Sequence, residues 1–225
     1  MNGFSKYTNY AHCTGKIEEE IIFDHETHGE KYYYTRLTVN RLSGNVDKVP
    51  IIFDEYLLKK ICTDKGTVLD VIGKFRSYDC VIHEKLSVIL FIFVTEMKVV
   101  GEEEPKKSGN NVFLTGQICK VPYYREKKYL KDDKEHIAKV TDLLLAVGRG
   151  HGRFDYIPCI AWNNIAKKTK DLEVGREIKI CGRIQSREYF KRVKPTSEFV
   201  HKGQMNEDAG YWKTAYEVAI FKMEC

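Results

Sequence analysis

The residues with the clearest chemical capacity form a row of cations and aromatic rings within residues 178–191. In an extended strand, successive side chains point to opposite faces. One face of this segment carries small or apolar residues: Ile178, Ile180, Gly182 and Ile184. The other carries Lys179, Cys181, Arg183, Gln185, Arg187, Tyr189 and Lys191. Cations neutralise phosphates and release counterions, and aromatic rings stack on nucleobases, so this face indicates noncovalent binding of a nucleic acid.

A second alternating segment comes before it. Asp155, Ile157, Cys159 and Ala161 alternate with Phe154, Tyr156, Pro158, Ile160 and Trp162. If the second set shares the outer face, three aromatic rings join the basic row. The alternative is that these rings belong to the hydrophobic core, although Trp162 precedes polar Asn163 and Asn164, which favours the surface. Because only unpaired bases expose their faces, rings combined with cations predict a single-stranded partner.

Motifs of covalent or metal chemistry are missing from the sequence. It contains no H-E-x-x-H, P-loop, G-x-S-x-G or EF-hand pattern, so we expect no enzymatic activity, no cofactor and no metal site. His25 and His28 lack a partner at a metal-binding spacing, and a polar turn before a strand at residues 30–39 explains them better. The glycine-rich residues 148–153 join two strands without a following helix, which predicts a hairpin turn whose arginines contact the nucleic-acid backbone.

Composition favours a cytosolic protein with no membrane association. Seven cysteines are dispersed without a C-x-x-C pair, which indicates reduced thiols. The N-terminal residues contain no apolar leader segment. The longest apolar run, residues 88–94, is far shorter than the roughly 20 residues that cross a bilayer.

Charge is distributed unevenly along the chain. Residues 1–105 hold 13 Lys and Arg against 17 Asp and Glu, a balance of −4. Residues 106–225 hold 24 against 15, a balance of +9, and the two balances account for the net charge of +5. This asymmetry indicates a polyanionic partner for the C-terminal half, with lysines that merely solubilise a surface as the alternative.

Three blocks of sequence recur in the same order. Residues 9–17 match 110–118, residues 37–52 match 145–160, and residues 66–77 match 175–186, at spacings of 101, 108 and 109. The second block reads L-x-V-x-R-x-x-G-x-x-D-x-[VI]-P-x-I in both copies, and the third ends in G-[KR]-x-x-S. Nearly constant spacing over three blocks indicates a tandem duplication.

Each copy has the pattern of a small barrel. Short runs rich in Val, Ile, Tyr and Phe alternate with polar residues between turn formers. One short helix is predicted after the third strand, at residues 55–61 and 163–169, and five strands in this order characterise the OB-fold. We therefore predict an all-β chain with two tandem five-stranded OB-fold barrels, at residues 1–101 and 110–225, joined by a charged linker at 102–109.

The C-terminal copy resembles the bacterial and phage single-stranded DNA-binding proteins. The similarity rests on residues 111–116 (NVFLTG), 122–125 (PYYR), 144–149 (LLAVGR), 154–162 (FDYIPCIAW), 181–189 (CGRIQSREY) and 214–218 (TAYEV), which follow the family's order over nearly all of 110–224. Residues 9–100 match much more weakly, chiefly through the repeat.

This resemblance implies a set of binding residues. Trp162 and Tyr189 fall where the family stacks bases, and Arg149, Arg183 and Arg187 fall on strand positions expected to contact phosphates. Residues 190–212, with Lys191, Arg192, Lys194 and Lys202, resemble a long loop that folds over the strand. The expected interface comprises Trp162, Tyr189, Tyr156, Phe154, Arg149, Arg183, Gln185, Arg187, Lys191 and Arg125.

The function implied is sequence-independent binding and protection of single-stranded DNA during replication, recombination or repair in the bacterial cytosol and nucleoid. Family members typically assemble four OB-folds, so a homodimer of this chain is expected. The family's acidic C-terminal tail is absent after residue 225, which puts recruitment of replication or helicase proteins in doubt. The alternatives are a primosome-type OB-fold adaptor and an RNA-binding OB module.

The two copies differ at the expected stacking positions. Phe154, Tyr156, Trp162 and Tyr189 lie over Val46, Lys48, Asp54 and Cys80, and a one-residue gap would place Phe53 at the tryptophan position instead. Together with the charge balance, this predicts an N-terminal copy that serves assembly and has little DNA affinity. Residues 32–34 (YYY) are either a second binding surface or an ordinary strand, and the strand is favoured.

Overall fold

The structure is a computed structural model that describes residues 8–41, 43–61, 65–82, 85–101, 109–132, 134–192 and 210–225. The first group of strands, the N-terminal barrel, comprises β1 (Asn9–Ile17), β2 (Ile22–Thr27), β3 (Glu30–Asn40), β4 (Val46–Asp54), α1 (Glu55–Leu58), β5 (Val68–Ile82) and β6 (Lys85–Gly101). The C-terminal barrel comprises β7 (Asn110–Ile118), β8 (Tyr123–Lys131), β9 (Lys134–Gly150), β10 (Arg153–Trp162), α2 (Asn163–Thr169), β11 (Glu177–Arg192) and β12 (Gly210–Glu224).

This architecture confirms the predicted all-β tandem of barrels. Each barrel has one strand more than the five expected, because β2 and β8 pair with the strands that follow them. Helix α2 covers the predicted residues, whereas α1 ends at Leu58 rather than at residue 61. The turn expected at residues 148–153 is a hairpin between β9 and β10, with His151 and Gly152 at positive φ. The expected linker lies outside the described residues apart from Gly109.

The barrels join edge to edge through their first strands. β1 pairs antiparallel with β7, from Asn9 opposite Leu114 to Cys13 opposite Asn110. All described strands thereby form one sheet in the order β2-β3-β4-β6-β5-β1-β7-β11-β12-β10-β9-β8, and the pairings β1–β3 and β7–β9 close the two barrels. Because β1 and β7 are equivalent in the repeat, the junction is approximately two-fold symmetric.

A bulge at an equivalent place in each barrel requires one of the repeated glycines. The register of β5 shifts between Ile72 and Gly73, and that of β11 shifts between Cys181 and Gly182. A Cβ atom at Gly73 would lie 2.1 Å from the carbonyl oxygen of Phe93, and one at Gly182 would lie 2.6 Å from that of Ala219. A side chain has no room there, so these bulges account for the glycine of G-[KR]-x-x-S.

The other repeated polar residues link the barrels. Asp155 of the C-terminal barrel is buried, pairs with Arg149, and accepts a hydrogen bond from the Ser77 backbone N–H at 2.6 Å. Arg149 also donates to the carbonyl of Ser77, while the Ser77 hydroxyl accepts from the N–H of Tyr156 at 2.8 Å. One Arg–Asp pair thus holds a serine of the opposite barrel.

The equivalent residues repeat this arrangement in the other direction. Arg41 donates to Asp47 at 2.6 Å, and Asp47 accepts from the backbone N–H of Ser186 at 2.8 Å. The Ser186 hydroxyl accepts from the N–H of Lys48 at 2.9 Å. We call these two arrangements the inter-barrel locks. They account for the repeated aspartate and serine, which the sequence analysis left unexplained, and for the repeated arginine, whose C-terminal copy Arg149 was expected to contact phosphates.

Candidate nucleic-acid interface

Strand β10 presents three aromatic rings on its outer face. The exposed fractions of Phe154, Tyr156 and Trp162 are 47%, 45% and 39%, whereas the alternating residues Asp155, Ile157, Cys159 and Ala161 are buried. The outer rather than the core placement of the three rings is therefore the one that the structure adopts. Ile160, between them, is 5% exposed and packs in a small outer cluster with Val140 and Ala219.

The far half of the β11–β12 hairpin adds alternating cations and rings. Arg187, Tyr189 and Lys191 lie opposite Ala215, Lys213 and Tyr211 in register. The Arg187 guanidinium lies over the Tyr189 ring at 5.7 Å, and the Lys213 ammonium lies over the Tyr211 ring at 5.7 Å. Such cation–π pairs hold the rings while leaving charge beside them for phosphates.

Three aromatic residues at this hairpin tip were not singled out from the sequence. Trp212 is 70% exposed, and its ring lies edge to face with that of Phe190 at 5.6 Å. Tyr211 is 38% exposed. The sequence analysis assigned residues 190–212 to a loop, whereas the strands extend to Arg192 and resume at Gly210, and Lys194 and Lys202 lie outside the described residues. If the alternation of inward and outward side chains had been extended backward along the chain from Ile220, it would have placed Tyr211 on the outer face.

Together these side chains form what we call the C-terminal stacking surface. Its members are Phe154, Tyr156 and Trp162 on β10, Arg187, Tyr189 and Lys191 on β11, and Tyr211 and Lys213 on β12. The surface offers flat apolar faces and separate cations. This is the combination that binds the bases and phosphates of an unpaired strand.

Two residues expected in the interface, Gln185 and Arg183, are buried and half-buried instead of exposed. Gln185 is only 9% exposed, and its amide donates to Glu217 at 2.7 Å. Arg183 is half-buried, and its Nε has no hydrogen-bond partner among the described residues. Burial, followed by the proximity of Arg41, lowers the pKa of Arg183. The predicted outward face of β11 is therefore wrong in its central part, where Cys181 is also buried and where Ser186 contacts Asp47 and Lys48 of the N-terminal barrel.

Two further expected residues are engaged in ion pairs. Arg149 belongs to an inter-barrel lock, so its guanidinium is committed to Asp155 and the Ser77 carbonyl. Arg125, on the exposed β8–β9 hairpin, pairs with Asp142 and lies over the Tyr123 ring at 5.6 Å. Both members of the Arg125–Asp142 pair are well exposed, so Arg125 keeps access to solvent.

Comparisons with known proteins agree with the fold. Residues 109–205 match the profile described as the single-strand binding protein family. The wild-type single-stranded DNA binding protein from Thermus aquaticus superposes with a TM-score of 0.68 at 14% identity, covering 96% of this chain and 91% of that one. A deletion mutant of the same protein gives 0.65 at 15% identity, covering 96% and 93%.

A shorter solved structure matches part of the chain. The N-terminal domain of the PriB protein from Thermoanaerobacter tencongensis is 32% identical over 43% of this chain and all of that one, with a TM-score of 0.38. No curated protein sequence matches this chain significantly. Among the helices of the described residues, none has the length and apolar character needed to span a membrane.

Proposed function

We propose that this chain, whose residues 109–205 match the single-strand binding protein family, binds single-stranded DNA, without reading sequence, through the C-terminal stacking surface. The observation that carries this proposal is the exposure of Phe154, Tyr156 and Trp162 in one row beside the cation–π pairs of the β11–β12 hairpin. Aromatic rings in the core of a barrel would not be exposed to this extent.

The proposed binding is noncovalent and needs no catalytic group. Each stacked base contributes roughly 1–3 kcal/mol, and every base has a face to stack, which makes the interaction tolerant of sequence. Arg187, Lys191 and Lys213 neutralise phosphates, which adds a salt-dependent contribution. A duplex hides its base faces, so the rings favour the single strand over the duplex.

The resemblance to the family supports a proposal for the biological setting. A protein that covers unpaired strands protects them during replication, recombination or repair, and we propose this role in a bacterial cytosol. A homodimer would bring four barrels together, as the resemblance to the family suggests. Native mass spectrometry of the full chain tests the dimer, and a monomer at micromolar concentration would contradict it.

The two tryptophans of the chain provide the signal for a direct test. Trp162 and Trp212 lie on or beside the stacking surface, so binding should quench their fluorescence. Titration with dT, dA and rU oligomers and with a duplex of equal length should show similar affinity for dT and dA and much weaker duplex binding. The logarithm of affinity should fall with the logarithm of salt concentration by about 0.7 per phosphate contacted. Equal affinity for the duplex would overturn the proposal, and preference for rU would favour RNA.

A further inference from the structure

The sheet formed by the described strands has two edges, and these edges carry opposite charge. β2 is the first strand in the sheet order and β8 is the last, so within the described residues each pairs with one neighbour, β3 or β9. An edge strand presents a row of backbone N–H and C=O groups that have no partner in their own sheet. Both strands therefore offer backbone groups to which a strand of another molecule can bond.

The β2 edge is acidic and partly apolar. The strand contains Asp24 and Glu26 and no lysine or arginine, and three glutamates at residues 18–20 precede it. Every residue of β2 is exposed, including Ile22 at 53% and Phe23 at 55%. This edge therefore combines exposed apolar side chains with negative charge, which suits a basic and partly apolar strand.

The β8 edge has the complementary composition. Its nine residues, Tyr123–Lys131, include four lysines or arginines against one glutamate. Lys127 and Lys128 are exposed, and Tyr123 and Leu130 are exposed to 64% and 79%. An acidic strand placed beside β8 would meet cations and apolar side chains along its length.

The change of sign occurs at equivalent positions of the two copies. At the spacing of 101 that relates the first repeated block, Asp24 and Glu26 lie over Arg125 and Lys127. Both strands pair antiparallel with the next strand along the chain, so they occupy the same place in their barrels. One strand type is therefore present in an acidic and a basic form at the two ends of the sheet.

Charged residues on an edge strand commonly prevent pairing between molecules. That role explains each edge alone, because two β2 strands repel each other and two β8 strands do the same. It does not cover the mixed pair, since β2 of one copy attracts β8 of another. Charges of a single sign on both edges would block every pairing, whereas the two signs leave the mixed contact favoured.

We propose that a second copy of this chain docks head to tail, with its β8 edge against the β2 edge of the first. A contact between two different surfaces leaves one surface of each kind free at the ends, so further copies can add. The homodimer proposed above joins like surfaces about a two-fold axis and is a separate contact. The head-to-tail contact needs no nucleic acid, and it gives the N-terminal barrel a part in assembly.

The head-to-tail contact should be reversible. The pairing of β2 with β3 shifts register between Phe23 and His25, and a bulge in an edge strand limits the length over which another strand can pair. The charges on both edges are exposed, and salt at physiological concentration screens such charges beyond about 8 Å. Association should therefore weaken on dilution and with rising salt concentration.

Two double variants of the full chain test the contact. Asp24→Lys with Glu26→Lys makes the β2 edge basic, and we call this the β2 variant. Lys127→Glu with Lys128→Glu makes the β8 edge acidic, and we call this the β8 variant. Sedimentation velocity without nucleic acid measures each variant alone and the two mixed in equal amounts. In the mixture every β2 edge again has a β8 edge of opposite charge available.

Controls make the same charge changes at exposed positions outside both edges. Glu173→Lys with Glu177→Lys is matched to the β2 variant, and Lys167→Glu with Lys168→Glu is matched to the β8 variant. Both controls should sediment as the wild type does. Circular dichroism of every variant checks that the strands still form.

The wild type at low salt should form species larger than a dimer, and their fraction should grow with protein concentration and fall with added salt. In each variant alone the dissociation constant of the contact should rise by about tenfold or more. The equal mixture should restore the larger species.

Two results would overturn the inference. One is a wild type that forms no species larger than a dimer at low salt, and the other is a mixture that associates no better than its components. Neither result affects the proposed function, which is measured by titration with oligomers. Loss of oligomer binding with intact association would instead overturn the proposed function alone.

Discussion

The two barrels carry their aromatic side chains at different positions of one framework. In the C-terminal barrel the rings of the stacking surface lie on β10 and at the far end of the β11–β12 hairpin, where the aligned N-terminal residues include Val46, Lys48 and Asp54. In the N-terminal barrel exposed Tyr78 and half-buried Tyr34, Phe91 and Phe93 lie on β3, β5 and β6. Their C-terminal counterparts are Arg187, Asp142, Glu217 and Ala219. The duplicated framework is thus retained while the positions of the rings differ between the copies.

What the barrels share is the contact between them. The two inter-barrel locks use the same residue types in the same register, and both aspartates are buried. The residues repeated in the sequence are therefore those of the contact between the barrels, and the residues that differ between the copies are those of the proposed ligand surface.

The largest expected effect is a loss of stability in variants of the inter-barrel locks, and its size in each variant tests whether the two locks are equivalent. Asp155→Ala and Asp47→Ala each remove a buried carboxylate and leave a partly exposed arginine and a serine N–H without their acceptor. Removal of one partner of a buried ion pair costs about 3–5 kcal/mol, which is the upper bound for these pairs. Urea denaturation should show similar losses in the free energy of unfolding for the two variants. Asp142→Ala, which removes a well-exposed ion pair, serves as the control and should cost less than about 1 kcal/mol. If the free energy of unfolding fell much more for one variant than for the other, only one of the two locks would stabilise the contact between the barrels.

The next effect concerns the rings of the C-terminal stacking surface. Trp162→Ala and Tyr189→Ala should each weaken binding of dT oligomers of any length by about 1–3 kcal/mol, roughly 5- to 150-fold. Asp54→Ala, at the N-terminal counterpart of Trp162, should leave affinity within about twofold because it removes no ring. Fluorescence anisotropy of labelled dT measures all three. Any aromatic change in residues 1–100 that weakens short-oligomer binding as much as Trp162→Ala would contradict the assignment.

A smaller effect is expected at Arg187, the counterpart of Tyr78. Arg187→Gln removes a phosphate contact and the cation beside Tyr189, so the salt slope of the affinity should fall by about 0.7. Titration at several salt concentrations measures it, with Lys179→Gln, an exposed position near the start of β11, as the control. An unchanged slope for Arg187→Gln would remove Arg187 from the interface.

The smallest effect on binding is expected at Gln185. Gln185→Ala breaks its hydrogen bond to Glu217 and should cost about 1 kcal/mol of stability. Its affinity for dT should stay within about twofold of the wild type, since the side chain is almost fully buried. A tenfold loss of affinity would place Gln185 back on the DNA-binding surface.

Local patterns identified the elements and part of the candidate site. Alternation over residues 154–162 separated buried Ile157 from exposed Tyr156, because each strand has a period of two wherever one face is covered. The same reasoning failed at Gln185 and Cys181. Glu217 of the paired strand β12 accepts a hydrogen bond from Gln185, and Asp47 of the other barrel contacts the adjacent Ser186. A local pattern contains no information about such neighbours.

The sequence by itself determined the duplication, the helix at residues 163–169 and the separation of the two faces of β10, since these follow from periodicity and repeat spacing. Only the tertiary structure decided that Arg149 holds the barrels together and that β2 and β8 are the two edges of one sheet. Arg149 lies 72 positions from its partner Ser77 in the chain. Pairing at such separation is set by the packing of whole barrels, and the residues that pair there leave no local pattern in the sequence.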